Sequence, residues 1–330
     1  MAENNNYLNN KTIFLAGATG SVGSAIIQYI IDNYPSTKIR AAYRKTKPFI
    51  EHERIEYIKG DLRLIEDCRK IANGCDCAIM AASHSGGSKV MTSEPWTFLN
   101  DNIIMNTQML EAFFRENVKR VLYIGTSTVY QEFEGYIKEN ELDFNKEPNS
   151  AYFGVGWISR FIEKLCEFWH MKTGMETMMV RASNIFGPYS SFDPSSSYFV
   201  PAIIRKAESK MDPFEVWGSP DVTRDVIYSE DFASAITTIL SADNLKFEVF
   251  NVGSGTKTTV GDVVNYSIKY ADYKPSKINY DLSKPTTIKF RALDISKAKK
   301  ILNWQPKYST GDGIKKTMDW WIKNKGNWKK

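Results

Sequence analysis

Three glycines, Gly17, Gly20 and Gly23, stand at every third position directly after the apolar run 12–16. Such a loop between a strand and a helix suits a pyrophosphate. The first glycine permits a tight turn, the second admits the phosphates to the backbone, and the third lets helix and strand pack. The helix N-terminus adds free N–H groups and a positive dipole end. The alternative is turn glycines without a ligand. We predict a dinucleotide site formed by Gly17, Thr19, Gly20, Ser21, Val22 and Gly23.

The second apolar run, 39–43, is followed by a basic turn, residues 44–47, that holds no acidic side chain. An NAD site places Asp or Glu at this point to bind the ribose hydroxyls, whereas Arg accommodates a 2′-phosphate. The sequence therefore predicts NADP(H), with NAD(H) as the alternative. Arg44 is the expected first contact of the phosphate, assisted by Lys45 or Lys47. The competing interpretation is an ordinary solvated basic turn.

These side chains need strands and helices to position them, and short apolar runs alternate with amphipathic, helix-length stretches through the first half of the chain. The runs lie at 12–16, 39–43, 55–58, 77–82, 121–125 and 177–181. Parallel strands need crossover helices, so the pattern predicts an α/β fold with a doubly wound parallel sheet of Rossmann type. Asp61 would follow the third strand, where its carboxylate could meet an adenine amino group or cap a helix.

The sequence after residue 183 is rich in Pro, Ser, Gly and Tyr and predicts shorter helices at 201–210, 259–270 and 296–302. We expect a second, smaller α/β lobe here, and the strand-like run 247–252 could return to the sheet. The predicted division is a flexible N-terminus at 1–10, a dinucleotide-binding domain at 11–183 with a return around 226–254, and a substrate-binding lobe at 184–225 and 255–330.

The 330-residue chain carries 43 Lys and Arg against 38 Asp and Glu, a formal net charge of +5. So small a surplus argues against nucleic-acid binding, although it permits local cationic pockets. No apolar run approaches about 20 residues and no signal peptide begins the sequence, so we expect a cytoplasmic protein without a membrane partner. The sequence shows no metal-ligand spacing. Buried free thiols are predicted at Cys68, Cys75, Cys77 and Cys166.

Seven motifs, taken in order, resemble the extended short-chain dehydrogenase/reductase family, in its group of nucleotide-sugar epimerases, dehydratases and reductases. They are GxxGxxG, GDL at 60–62, AAS at 81–83 with a following GG at 86–87, TSTVY at 126–130, RASNIFGPY at 181–189, VWGSPDVTRD at 216–225 and FNVGSG at 250–255. The resemblance implies a nicotinamide cofactor and a nucleotide-sugar substrate held in the second lobe. It adds Leu62, Ala81, Ala82 and Ser83 to the expected cofactor contacts.

Hydride transfer at a sugar carbon needs a proton donor or acceptor for the sugar oxygen. The family supplies this with a Ser or Thr hydroxyl followed by the Tyr and Lys of a YxxxK helix. The resemblance implies that Thr126 is the hydroxyl residue. Dehydratases carry an acidic pair after it, and Ser127 and Thr128 stand there instead, which disfavours dehydration.

The YxxxK lysine is missing from the sequence. One alignment makes Tyr152 the tyrosine and puts Gly156 in place of the lysine. The other needs no insertion before the next strand and puts Val155 and Ser159 at the two positions. In the second, preferred alignment Tyr152 lies nearly one helical turn before Val155, on the same face. We expect Tyr152 to act as the acid/base; the alternative is a packing residue in a redox-impaired site.

A phenol without a neighbouring lysine titrates near 10, so it donates a proton readily at neutral pH and is a poor base. This favours reduction of a keto sugar over oxidation. The stretches 81–87, 190–206 and 215–220 are similar to 4-keto-sugar epimerase-reductases of the family. Their shuttling histidine and its cysteine partner correspond to Tyr198 and Thr128, which disfavours epimerisation at C3 or C5.

The leading hypothesis is therefore NADP(H)-dependent reduction of a 4-keto nucleotide sugar, most plausibly GDP-linked. A 4-epimerase or C4 dehydrogenase is one alternative. A catalytically silent member that binds dinucleotide and nucleotide sugar is the other.

The resemblance also implies a nucleotide-sugar pocket. Arg224 and Arg291 match two arginines near the diphosphate, and a guanidinium meets phosphate oxygens bidentately; salt bridges to nearby aspartates are the alternative. Trp217 is expected to stack on a nucleobase or to pack in the core. The full set of expected substrate contacts is Ser127, Asn184, Val200, Trp217, Arg224 and Arg291.

The family commonly dimerises through two helices per subunit, which correspond here to 97–117 and 157–172. A homodimer is expected from the resemblance alone, because the apolar residues of these helices are equally consistent with burial in the core of one chain.

Overall fold

Strands form at all of the short apolar runs in the computed structural model, which describes residues 7–84, 95–283 and 290–328. Within these ranges the strands are β1 (Thr12–Ala16), β2 (Lys38–Tyr43), β3 (Ile55–Lys59), β4 (Cys77–Met80), β5 (Arg120–Thr126), β6 (Gly135–Ile137), β7 (Glu176–Ala182), β8 (Asn184–Phe186), β9 (Phe214–Trp217), β10 (Thr223–Arg224), β11 (Val226–Tyr228), β12 (Phe247–Val252), β13 (Thr258–Thr259), β14 (Ile278–Asp281) and β15 (Phe290–Leu293).

The helices of the same ranges are α1 (Ser21–Asn33), α2 (Ile65–Ala72), α3 (Pro95–Arg115), α4 (Phe153–Thr173), α5 (Phe199–Glu208), α6 (Ser229–Ser241), α7 (Val260–Tyr270), α8 (Ser296–Leu302) and α9 (Thr310–Asn324). Short 3₁₀ turns lie at Ser127–Val129, Glu139–Glu141 and Ser150–Tyr152. Among the described residues, no helix has both the length and the apolar character needed to cross a bilayer.

Seven parallel strands form the central sheet in the order β12-β7-β5-β4-β1-β2-β3. Residues 13–16 of β1 are all apolar and buried because both faces of the sheet are covered. Ile13 and Leu15 pack on the face that carries α1 and α6, and Phe14 packs on the face that carries α2, α3 and α4. The predicted doubly wound Rossmann-type sheet is confirmed, and the run 247–252 joins it as β12.

The second lobe has its own apolar core, formed where helices α5, α7 and α9 pack together. Ile204, Val263 and Ile314, one from each helix, are fully or almost fully buried in it. A four-stranded sheet of order β13-β10-β15-β6 accompanies it, with two-stranded pairs β8–β11 and β9–β14. Strands β8 to β11 precede β12 in the sequence, yet β12 lies in the main sheet. The polypeptide therefore passes between the main sheet and the second lobe more than once.

The start of the described chain is anchored to the main core. Leu8 is fully buried, and its carbonyl accepts a hydrogen bond of 2.7 Å from the Thr37 hydroxyl. The flexible segment predicted at 1–10 is therefore wrong for residues 7–10, because an apolar side chain there packs beneath α1. Residues 1–6 lie outside the described part, as do Gly86 and Gly87 of the AAS-plus-GG motif.

All four cysteines are free and buried, as predicted. Burial raises the pKa of the Cys68 thiol to about 12 and that of Cys75 to about 11. A thiol that stays protonated at neutral pH is a poor nucleophile and metal ligand. The described structure therefore assigns these cysteines to packing.

A buried ion pair joins α4 to the centre of the main sheet. Arg181 of β7 donates from Nε and Nη2 to the two carboxylate oxygens of Glu163, at 3.0 and 2.9 Å, and both side chains are about 5% exposed. The third nitrogen, Nη1, donates to the Tyr130 hydroxyl and the Glu139 carbonyl, both at 2.9 Å. The pair thus fixes α4 and the segment after β5 against β7.

Removing one partner of this pair leaves the other buried and uncompensated. We expect Glu163→Ala to lower the free energy of unfolding by about 3–5 kcal/mol. Lys164→Ala is the matched control on the same helix, because Lys164 pairs with Glu167 at the surface, and it should cost less than about 1 kcal/mol. Urea denaturation of both variants measures this. Equal losses would contradict the role given to the pair.

Candidate active site

The glycine loop between β1 and α1 is a close-packed cradle. Gly17 has a φ of +76°, and a Cβ there would stand 2.5 Å from the Ala81 carbonyl oxygen. A Cβ on Gly23 would stand 2.2 Å from the Gly17 carbonyl oxygen. Helix α1 begins after Gly20 with no side-chain cap and no acid in its first turn. The loop therefore presents helix N–H groups that suit a pyrophosphate, and the backbone of Ala81 and Ala82 lies beside it, with Ser83 next in the sequence.

A cavity of about 740 Å³ opens at the carboxyl ends of β2 and β3. It contains the whole predicted set of Arg44, Lys45 and Lys47, together with Asp61. Sequence reasoning missed Lys59, Arg63 and Asp101, which line it as well. Lys59 ends β3, Arg63 lies between β3 and α2, and Asp101 lies within α3. The GDLR order of residues 60–63 was the one local signal for Arg63. Five cationic side chains facing one cavity create a strong preference for an anion.

Asp61 is held by a neighbour within this cavity. Arg63 donates to both of its carboxylate oxygens, at 2.9 and 2.5 Å, and also to Asp101 at 3.0 Å. Asp101 in turn contacts His84 Nδ1 at 3.0 Å. The hydrogen bonds from Arg63 lower the pKa of Asp61 to about 2. Asp61 does not cap a helix. Its backbone N–H donates to the Asp67 carboxylate in α2, and its own carboxylate is on the cavity side.

Arg291 of the second lobe contacts the segment that follows β5. Thr126 Oγ1 accepts a hydrogen bond of 3.2 Å from the Thr128 N–H, which leaves the hydroxyl proton of Thr126 to be donated elsewhere. The next carbonyl, of Ser127, accepts from Arg291 Nη2 at 2.5 Å. Nε of Arg291 is buried and has no hydrogen-bond acceptor among the described residues. The predicted hydroxyl residue and the predicted phosphate ligand are therefore neighbours.

Arg291 and Arg224 lie side by side, because β15 and β10 are parallel and these two residues are register partners. Burial lowers the pKa of both guanidinium groups, and the nearby Tyr152 phenol opposes this for each. Tyr152 ends the 3₁₀ turn before α4 and is half-buried. The structure thus brings together Tyr152, Arg224, Arg291 and Ser127, which the sequence predicted separately.

Ser159 does not face this cluster. It is 4% exposed, inside α4, and its hydroxyl lies against the Tyr123 phenol. Burial raises the pKa of Tyr123, and the hydrogen bond with Ser159 opposes that rise. Ser159, which the sequence aligned with the catalytic lysine of the family, thus carries a short side chain that is directed at the sheet and hydrogen-bonded there. Position 159, which is aligned with the lysine of the family, therefore carries no positive charge.

Helix α4 makes a close approach to the segment after β5 at Gly156. Gly156 is buried, and a Cβ there would stand 2.7 Å from the Thr128 carbonyl oxygen and 2.6 Å from Pro148. The helix therefore approaches the end of β5 one residue after Val155. Tyr152 precedes this contact, on the side of Arg224 and Arg291.

A second cavity, of about 140 Å³, lies beside the arginine pair. Trp217, Phe199 and Arg224 line it, and Trp217 is 70% exposed, so the core interpretation of this tryptophan is wrong. Val200 is 3% exposed in the lobe core, so its side chain does not line the cavity; its neighbour Phe199 does. Asn184 is exposed, and its Nδ2 donates to the Asp225 carbonyl at 2.9 Å.

Together, the fold and the glycine cradle at the point where strand order reverses define a doubly wound α/β protein of the dinucleotide-binding class. The model of the NAD dependent epimerase/dehydratase family matches residues 13–253. The chain belongs to the NAD dependent epimerase/dehydratase family. The resemblance to extended short-chain dehydrogenases/reductases is thereby confirmed.

Individual relatives agree with this assignment. GDP-L-fucose synthase of Sinorhizobium fredii is 29% identical over 323 residues, covering 96% of this chain and 97% of the relative. GDP-mannose 3,5-epimerase 1 of Oryza sativa subsp. japonica is 26% identical and covers 93% and 81%. The UDP-glucose 4-epimerase of Thermotoga maritima, solved with UDP-glucose, has a TM-score of 0.82 at 21% identity and covers 95% and 99%. The motifs at 81–87 and 190–206 are similar to those of GDP-L-fucose synthase.

The Asp61–Arg63 pair predicts a pH-dependent contribution to stability. A carboxyl whose folded pKa is depressed stabilises the fold above its unfolded value, near 4, and this contribution disappears as the pH falls towards 2. We expect Asp61→Asn to lower the free energy of unfolding by about 1 kcal/mol near pH 7, because the 38% exposed Arg63 side chain is partly screened.

The same comparison near pH 2 should show no difference between Asp61→Asn and the unaltered protein. Asp319→Asn, which removes the exposed partner of Lys315 on α9, serves as the control and should cost less than about 0.5 kcal/mol. Urea denaturation over this pH range measures both. A cost for Asp61→Asn that is independent of pH would refute the prediction.

Proposed function

We propose that this protein catalyses the NADP(H)-dependent reduction of a 4-keto nucleotide sugar, GDP-linked, in the synthesis of sugars for surface glycans. The observation that carries the proposal is the cluster of Tyr152 with Arg224 and Arg291 beside the end of β5. It combines a proton donor with two guanidinium groups from adjacent strands, a chemistry that suits a diphosphate. Residues 11–183, with the return around 226–254, would hold the dinucleotide, and 184–225 with 255–330 the nucleotide sugar.

The residues fit a nicotinamide dinucleotide. A cradle that no Cβ can enter at Gly17 and an uncapped helix end at Gly20 suit its pyrophosphate. The cationic cavity of Arg44, Lys45 and Lys47 supports NADP(H), because a 2′-phosphate would be its anion. Asp61, on the wall of the same cavity, would accept from the adenine amino group. NAD(H) remains the alternative cofactor.

The nucleotide-sugar side rests on the lobe residues. Arg291 and Arg224 would bind the two phosphates. The Nε–H of Arg291 has no acceptor among the described residues, so it is available to a phosphate oxygen. Trp217 and Phe199 expose aromatic faces at the neighbouring cavity, where a nucleobase would stack. Relatives named GDP-L-fucose synthase and GDP-mannose 3,5-epimerase support guanine as that base.

When bound, the reduced nicotinamide supplies a hydride to the carbonyl carbon of the sugar. The phenol of Tyr152 gives its proton to the carbonyl oxygen, which becomes a hydroxyl group. Thr126, whose oxygen already accepts from the Thr128 N–H, would donate to the same oxygen and orient it. The helix position at which the family carries the lysine that assists proton removal holds Ser159, which disfavours the 4-epimerase and C4 dehydrogenase reactions, since these begin by removing a proton.

A catalytically silent role is the second candidate, and the buried Ser159 favours it. The helix position that the family gives to lysine carries a short side chain turned to the sheet. A protein of this kind would bind both ligands without turnover.

Tyr152→Phe separates the two candidates. We expect the unaltered protein to oxidise NADPH with a GDP-linked 4-keto hexose, and Tyr152→Phe to lose turnover by about 100-fold or more while binding NADPH as before. Absorbance at the reduced nicotinamide band and cofactor fluorescence measure these. Tyr266→Phe, at an exposed tyrosine of α7, is the control and should be unaffected. An unaltered protein that binds NADPH and turns over no keto sugar would establish the silent role.

We infer that the protein forms a homodimer through α3 and α4. Of the apolar residues on these helices, Met105, Met109 and Phe113 are buried in the core of the chain. A second set is exposed on neighbouring surfaces of the packed pair, namely Ile104, Phe114, Phe161, Phe168 and Met171. Exposed apolar side chains grouped on two adjacent helices are typical of an interface.

Phe168→Glu places a charge on this surface. We expect it to convert a dimer into a folded monomer, because an unpaired carboxylate is costly to bury at an interface. Sedimentation or light scattering gives the mass, and circular dichroism confirms folding. Ile322→Glu on α9 is the matched control, since Phe168 and Ile322 are each 50% exposed. A monomeric unaltered protein would refute the inference.

A further inference from the structure

Four aromatic side chains from three distant segments pack together, namely Phe49, Tyr189, Trp320 and Trp328, and Phe49 follows the basic turn 44–47 by two residues. We name this cluster the aromatic clasp. The Phe49 ring lies 4.9 Å from the Trp328 ring, 5.7 Å from Tyr189 and 6.0 Å from Trp320, each in an edge-to-face arrangement. Trp320 and Trp328 also contact each other at 5.1 Å. Phe49 is therefore seated between three rings of the second lobe.

The lobe side of the clasp is firmly held. Trp328 is 3% exposed, and its indole N–H donates to the Ser190 carbonyl at 2.9 Å. Tyr189 reaches the other part of the molecule as well, since its hydroxyl donates to Gln28 of α1 at 3.3 Å. A ring that packs here is fixed relative to both the lobe and the helix after the glycine cradle.

Phe49 belongs to the connection between β2 and β3, which also carries Arg44, Lys45 and Lys47. The β3 end of this connection is well anchored: the Tyr57 hydroxyl donates to the Ile50 carbonyl at 2.7 Å. The stretch 44–47 is exposed, and within the described chain its three cationic side chains form no hydrogen bond or ion pair. Phe49 is thus the nearest side chain after the cations that fastens their backbone.

Fixing this backbone matters for an anion. Long, solvated Lys and Arg side chains lose conformational freedom when they close on a phosphate, and a preorganised backbone reduces that cost. We propose that Phe49 is a positioning residue, which sets the preference for NADP(H) over NAD(H) by anchoring residues 44–47 in the aromatic clasp. This rests on the cofactor assignment of the proposed function.

Two variants test the role of Phe49 from opposite sides of the contact. Phe49→Ala removes the ring, and Trp328→Leu removes its closest neighbour at a site away from the cations. We expect each to weaken NADPH binding by about tenfold, the scale of one charge-assisted hydrogen bond, and to leave NADH binding unchanged. Fluorescence titration gives the four dissociation constants. Hydrogen exchange of residues 44–49 without cofactor should accelerate in both variants.

Phe144→Ala is the control, because Phe144 is 37% exposed against 38% for Phe49 and packs beside Arg160 and Lys164 instead. It should change neither cofactor affinity nor exchange at 44–49. Equal weakening of NADPH and NADH would reduce Phe49 to a general structural role and overturn the proposal, as would unchanged exchange at 44–49. An unaltered protein that binds NADH as tightly as NADPH would refute the cofactor assignment itself, and with it the role of Phe49.

Discussion

The ion pair of Arg181 and Glu163 is the constraint on which the arrangement of the site depends. Two opposite charges removed from water stabilise a fold only if their remaining donors and acceptors are also satisfied. The Arg181–Glu163 pair meets this condition. The Glu163 carboxylate accepts hydrogen bonds from two guanidinium nitrogens, and the third nitrogen donates to the Tyr130 hydroxyl and to the Glu139 carbonyl. Because every nitrogen of the Arg181 guanidinium donates a hydrogen bond, α4 is fixed against the sheet and the segment after β5 is fixed across its end.

This network continues into the second lobe. The Tyr130 hydroxyl donates to Asn251 of β12 at 2.7 Å, and the Asn251 amide donates to the carbonyls of Ile137 and Asp294. These two carbonyls lie at the ends of β6 and β15, which pair in the lobe sheet. Strand β15 carries Arg291, whose register partner is Arg224. The position of the arginine pair relative to Tyr152 therefore follows from polar contacts in the core of the main sheet, and no surface loop decides it.

Local patterns were sufficient to predict the strands of the main sheet and the glycine loop. Residues 13–16 of the run 12–16 are all apolar because both faces of the sheet are buried, and the close contacts that require glycine at Gly23 come from Gly17 and Ala18, a few residues away. Contacts between distant segments were beyond prediction. Lys59 and Asp101 join the cationic cavity from separate elements, and the burial of Ser159 depends on Tyr123 of a neighbouring strand. Phe199, and not the predicted Val200, lines the second cavity, because consecutive residues of a helix point to different faces.

The seat of Phe49 has a consequence for how the chain is made. Trp328 is separated from Phe49 by nearly the whole length of the sequence, so their rings cannot meet until the ribosome has synthesised almost all of it. The main sheet faces a similar delay, because β12 is added at one edge long after β1, β2 and β3 have been made. Such long-range contacts form slowly and late. A nascent chain can therefore hold a folded glycine loop well before its cationic turn is fixed in place.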